Sequence, residues 1–157
     1  MHIDDKYNMV EIAGDMLYKS KCKRRHFAAV LCDRDGQIIG TGYNKTPDDK
    51  ACKVCVRQDA AVGSAYTSCP AGHAEMYAIL DALAEGMDID NSMMFVAGLD
   101  VEEVKEIVAY KPCFNCALVL ALHNIHVYGL DSRANLCKWD MRTIYSGVEY
   151  IEGGLDL

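Results

Sequence analysis

Positive charge is scarce in this chain. Sixteen lysines and arginines face 23 acidic residues, which leaves a formal charge of -7 and a pI near 5.1 over 157 residues. Proteins that grip a polynucleotide backbone draw affinity from a basic face, and the composition provides none. The basic cluster that does occur, Lys19 to Arg25 ("KSKCKRR"), reads either as a solvated helix end or as a single phosphate site. A small substrate is therefore expected over a long nucleic acid. Long apolar runs are also missing, so no segment is expected to cross a membrane. The start, "MHIDDKYNMV", carries no basic-then-apolar signal pattern. Repeats, low-complexity tracts and linkers are absent too. These absences predict one cytoplasmic domain over 1–157, long enough for a sizeable core.

Cysteine, by contrast, is plentiful: there are eight. Without a secretion signal they point to metal ligation under reducing conditions rather than to disulfides. The stretch that organises the chain is His73-Ala74-Glu75, paired with Pro112-Cys113-Phe114-Asn115-Cys116. One histidine and two cysteines make three zinc ligands, one short of a closed structural site, so a fourth position stays open for water. Glu75 lies near enough to reach that water without being a ligand. "HAEMYAILDALA" from His73 reads as a helix stopped by Gly86, and "CFNCALVLAL" from Cys113 as another, with Pro112 suited to its start. Cys113 and Cys116, three apart, then share one helix face. Both ligand groups fall at helix N-termini, where the dipole favours thiolate.

Cys52, Cys55 and Cys69 sit in a long polar stretch from Lys45 to Gly72. With Cys22 they make a possible second, structural zinc site of four thiolates; unrelated reduced thiols are the alternative.

Elsewhere the pattern predicts a helix over 5–19 capped by Asp4 or Asp5 and a hairpin of 26–32 and 37–44 around Asp33-Arg34-Asp35-Gly36. Strands follow at 92–99 and 125–131. Residues 100–110 read as a short helix with Asp100 and Glu103 as a capping pair, or "EIVAY" at 106–110 reads as a strand. A helix over 134–145 and a last strand, "VEYI", complete the chain. Near-continuous apolar strands suggest a sheet covered on both faces. Helix and strand alternate, so an α/β layered fold is expected, its sheet mixed because it opens with a hairpin. Ala117 to Leu122 is apolar all round, which asks for burial on every side, part of it by another subunit.

The motif pair, with "SKCKRRHFAAV", "GTGYN" and "CVRQDAAVGSAYTSCPAGHAEMYAI", resembles the cytidine deaminase superfamily, closest to the deoxycytidylate (dCMP) deaminases. The resemblance implies a cytidine deaminase-like three-layer fold with a mixed five-stranded sheet flanked by helices. It implies zinc-dependent hydrolysis of a cytosine nucleotide, dCMP to dUMP and ammonia, with His73, Cys113 and Cys116 on the metal and Glu75 as proton shuttle. It places Asn44 by the sugar and Arg24 by the phosphate, with Arg25 and Lys45 behind. It also strengthens the second zinc site and implies a homodimer or homohexamer. A deaminase of another free base or of a nucleic-acid base is the alternative enzyme. A zinc-stabilised, non-catalytic nucleotide-binding protein is the alternative outside enzymes, and it would need no free carboxylate at Glu75. The chain departs from the family pattern at Tyr77 (usually Asn), at Lys45 and Asp49 (usually Gly), and in the insert from Asp100 to Lys111.

Overall fold

The computed structural model describes residues 1–61, 68–101, 110–141 and 144. Helix α1 spans Ile3–Asp15 and ends in a 3₁₀ turn at Leu17–Lys19. Its cap is His2, not Asp4 or Asp5 as expected from the sequence. The helix begins two residues earlier than the pattern suggested, so the acidic pair falls in its first turn, where the dipole favours negative charge. Asp5 then accepts from the backbone N–H of His2.

Strands β1 (Arg25–Cys32) and β2 (Ile38–Tyr43) form the expected hairpin. Asp33 Oδ1 accepts from the amides of Asp35 and Gln37, and Gly36 takes a φ of 86°, the left-handed conformation such a turn requires. Helix α2 (Ala74–Ala84), β3 (Met93–Asp100), α3 (Phe114–Leu122) and β4 (His126–Leu130) follow. The last described strand is β5, Leu136–Trp139, which takes the place of the first part of the helix predicted over 134–145, while Met141 and Ile144 near its far end are helical. Asp131 Oδ1 accepts from the amides of Arg133 and Asn135, and Ala134 adopts a φ of 61°. That turn folds the chain straight back, and β5 pairs antiparallel with β4. The expected final strand at 148–151 lies outside the described residues, as does 102–109 of the insert.

The sheet order is β2-β1-β3-β4-β5. Among the described strands only β3 and β4 run parallel, across α3; the other pairs are antiparallel. The sheet is mixed and five-stranded, as expected, with β5 as its fifth member.

Strand alternation sends side chains to two cores. Val30, Cys32, Phe95 and Tyr128 pack beneath α1 against Val10 and Ala13, with the rings of Phe95 and Tyr128 stacked at 5.2 Å. Ala29, Leu31, Met94, Val96 and Val127 face the other way, into a core shared with α2 and α3. Two glycines set how closely α2 lies on that face. A Cβ on Gly42 would overlap the Ala74 carbonyl oxygen and the Ala78 amide nitrogen, and one on Gly40 would stand 3.0 Å from Ala82 Cβ. Bare backbone on β2 against alanines on α2 seats the helix. Cys116, Ala117 and Leu120 bring α3 into the same core, so both helices present their N-termini at one edge of the sheet face. Leu122 and Phe114, on the outer side of α3, remain exposed within one chain.

Candidate active site and metal centre

His73 and Cys113 are the N-cap residues of α2 and α3. The extended backbone of a cap turns each side chain across its own helix end. His73 Nδ1 lies 3.2 Å from Cys113 Sγ and 3.3 Å from Cys116 Sγ. A tetrahedral zinc with bonds of about 2.0 Å to nitrogen and 2.3 Å to sulfur sets such donors about 3.5 Å apart. The three side chains therefore fit that ion as they stand. Among the described residues, His73, Cys113 and Cys116 are the one group of three such side chains whose ligand atoms all lie within 4.8 Å of one another.

The electrostatics suit a cation. A hydrogen bond with Cys116 first, and one with His73 behind it, lower the Cys113 thiol to about 4. The same shared hydrogen bond and burial push Cys116 up. A thiolate held down in this way is the form that binds a metal. The Cys113 hydrogen bond raises His73 as well.

Glu75, in the first turn of α2, is 4% exposed and forms part of the cavity wall beside these ligands. Burial pushes its carboxyl above the usual range, the direction needed by a group that must both take and return a proton near neutrality. Tyr110 donates its hydroxyl to Glu75 Oε1 at 2.9 Å. Burial, with the Glu75 charge behind it, raises the phenol well above its ordinary value, so it stays a donor.

The cavity, about 180 Å³, is bounded by Arg24, Arg25, Arg57 and Lys111, with Glu75 the only acidic residue in its wall among the described residues. In a chain of net charge -7 this is a local reversal of sign. The basic cluster does more than line it. Arg24 donates to the carbonyls of Arg57 and Ala60, Lys21 to that of Asp49, and Lys23 to that of Lys53. These cations hold the backbone of the following loop, a use neither sequence reading anticipated. Arg25 pairs with Asp100 at 3.2 Å.

Asn44 also lines the cavity, but its amide bridges the edge of β1, accepting from Phe27 N–H and donating to Arg25 carbonyl. Lys45 lies outside this cavity, with Nζ 4.9 Å from the ring centroids of both Tyr43 and Tyr77. Two departures from the family pattern, Lys45 and Tyr77, are therefore one cation–π contact. Cys22, Cys52, Cys55 and Cys69 all border a smaller adjoining cavity without any three of them reaching the closeness of the His73 group.

Arg57, Tyr110 and Lys111 escaped the sequence reading. Arg57 lies two residues past Cys55 in a segment that carried the resemblance, and Tyr110 and Lys111 directly precede Pro112.

The model of the cytidine and deoxycytidylate deaminase zinc-binding region matches residues 3–128. The chain belongs to this family. Among solved structures, the dCMP deaminase of cyanophage S-TIM5 is similar in its apo form, at 23% identity and a TM-score of 0.61, covering 83% of this chain and 85% of that one. The same phage enzyme in complex with dCMP and dUMP matches at 23% identity and a TM-score of 0.60, over 82% of both chains. A Thermotoga maritima diaminohydroxyphosphoribosylaminopyrimidine deaminase/5-amino-6-(5-phosphoribosylamino)uracil reductase shares the fold at 19% identity and a TM-score of 0.50, over 81% of this chain and 29% of that one. No curated protein sequence matches the chain. Membership makes the protein a zinc-binding deaminase, and the neighbours share its α/β fold. No helix among the described residues is long and apolar enough to cross a membrane.

Proposed function

We propose that the protein hydrolyses the amino group of a cytosine nucleotide, converting dCMP to dUMP and ammonia. The observation that carries this reading is the reversal of charge at the site: four cationic residues bound the cavity of an acidic chain, beside the His73, Cys113, Cys116 and Glu75 constellation. A neutral base or nucleoside needs no such wall, whereas a phosphate gains from it through charge-assisted hydrogen bonds.

The chain's own residues divide the work. His73, Cys113 and Cys116 would hold one zinc, which supplies a water acidified to a pKa of about 7 in sites with three protein ligands. Glu75 would take one proton from the attacking water and pass it to the ring nitrogen N3 as the oxygen adds at C4, then carry the second proton, from the new C4 hydroxyl, to the amino nitrogen, so that the C4–N bond breaks and ammonia leaves. The cytosine ring enters beside Phe27 and His73, and the 5′-phosphate meets the wall of Arg24, Arg25, Arg57 and Lys111. Tyr110 and Lys111 end the 100–111 insert at this wall, so the insert contributes to substrate choice. Cys22, Cys52, Cys55 and Cys69 would close on a second zinc that pins the loop. The exposed Phe114 and Leu122 of α3 would be covered by another copy of the chain, a self-association that sedimentation at micromolar concentration tests.

The test is an ammonia-release screen of the zinc-loaded protein across cytosine, its nucleosides and mono- to triphosphates, with adenine and guanine compounds included. Turnover of dCMP well above deoxycytidine is expected. Equal use of nucleoside and nucleotide would remove the phosphate argument, and no turnover of any cytosine compound would remove the substrate class.

A further inference from the structure

We infer that Tyr110 is a positioning residue for the reaction: its hydroxyl fixes the rotation of the Glu75 carboxylate so that one oxygen, and always the same one, is left to move the proton. The inference rests on the deaminase reading above. Its physical basis is independent of the metal.

A carboxylate turns about a broad, roughly two-fold terminal torsion and offers about four acceptor directions. A shuttle that must meet a water proton and then a ring nitrogen loses rate whenever that torsion wanders. Helix α2 fixes the Glu75 backbone, its own amide and Cys116 also reach the carboxyl, and a further restraint on the outermost torsion comes from outside the helix. The hydroxyl of Tyr110 supplies it, at 2.9 Å from Oε1, with both residues buried, 3% and 4% exposed. One oxygen is thereby taken, and Oε2 is the oxygen left for the exchange.

The clamp works only if Tyr110 is itself held, and it is held on three sides. Its amide donates to the Leu130 carbonyl at 3.1 Å, which ties it to the end of β4. Its ring meets Phe27 of β1 edge-on, with centroids 6.5 Å apart. Its other side lies on Gly129, where an added Cβ would stand 2.6 Å from the ring carbon Cδ1 and 3.0 Å from Tyr110 Cβ. Bare backbone at Gly129 therefore brings the ring to the depth at which its hydroxyl reaches Glu75. Strands β1 and β4 are thus coupled, through one hydrogen bond, to the carboxylate of α2 that moves the proton.

Tyr110→Phe removes the hydroxyl and keeps the ring. With the substrate that the wild type deaminates, kcat should fall about 10- to 100-fold while KM and zinc per chain change by less than about twofold. A kcat within about twofold of wild type overturns the inference, and so does a loss that follows zinc content. A second measurement needs no activity. The melting temperature of Tyr110→Phe is compared with wild type, and that of the Tyr110→Phe, Glu75→Ala double variant with Glu75→Ala alone. A drop in the first comparison that vanishes in the second supports the clamp; equal drops in both overturn it. If the wild type deaminates no cytosine compound, the functional reading falls, and this cycle still decides whether Tyr110 holds Glu75.

Discussion

Replacing Gly42 by alanine should damage the active site from a strand that supplies none of its ligands. The new methyl would stand 2.9 Å from the Tyr77 carbonyl carbon and overlap the Ala74 oxygen and the Ala78 nitrogen, whereas ordinary contacts begin near 3.4 Å. All three are backbone atoms of α2, so no side chain can swing away. The helix must retreat from β2 by about 1 Å, and His73 and Glu75 go with it. Overpacking of this kind costs about 1–3 kcal/mol, partly offset by the roughly 0.5–1 kcal/mol that alanine gains over glycine in chain entropy. In a chain of this length the net loss lowers the melting temperature by about 2–8 °C. A displacement of about 1 Å at a reacting group costs up to roughly 100-fold in rate. Gly14→Ala in the last turn of α1 is the control. Nothing lies within 4 Å of its added Cβ, so it should gain about 0.5–1 kcal/mol and leave kcat alone. The assays are thermal unfolding and steady-state deamination. A Gly42→Ala protein with wild-type melting and kcat would refute the seating of α2 on bare backbone. One that melts early but turns over normally would refute the link from that seat to the site.

Glu75→Gln should keep zinc, since Glu75 is outside the ligand set, while kcat falls by at least about 100-fold; retained turnover would move the proton shuttle elsewhere. Metal analysis should give about two zinc atoms per chain, falling to about one in Cys55→Ser; a wild-type ratio near one would reject the site of Cys22, Cys52, Cys55 and Cys69. Burial first, and the Asp33 charge second, raise the Cys32 thiol from 9.0 to about 11. Below pH 9 it is protonated in both folded and unfolded chains, and above that the unfolded chain ionises first, so its contribution to stability is lost as pH rises through about 11. Thermal melts from pH 8 to 11 with Cys32→Ala alongside should therefore show a steeper alkaline decline in the wild type.

The cluster of His73, Cys113 and Cys116 was legible in the sequence because its geometry is local. Cys113 and Cys116 share a face by helical spacing alone, and His73 and Cys113 stand where each helix begins, so each half of the site can be read without knowing the other. The hairpin was legible for the same reason, through Asp33 and Gly36. The turn before β5 was not. It needs a left-handed residue at position 134, and alanine has no preference for that conformation, so Leu136–Trp139 passed for the start of a helix. Tyr110 was illegible because its hydrogen bond to Glu75 spans 35 positions, and no local pattern marks one tyrosine among nine. Lys21, Lys23 and Arg24 carry a contact that their charge did not announce. Their charge suggested water or phosphate, and their partners are carbonyls of a loop far along the chain.

That loop is clipped shut at its base. Lys45 and Gly72 exchange both backbone hydrogen bonds, at 3.3 and 2.8 Å, and Tyr77 packs over the junction against Gly72 and beneath Lys45. What lies between hangs from a closed neck one residue before His73. Closure entropy changes only slowly with loop length, so residues can be added to or taken from the segment without opening the neck. The neck thus stands between His73 and Glu75 and a segment whose Cys55, Arg57, Cys69 and Ala71 line the cavity. Selectivity can drift there through insertion, deletion or exchange of whole segments, while the hydrolytic centre keeps its register.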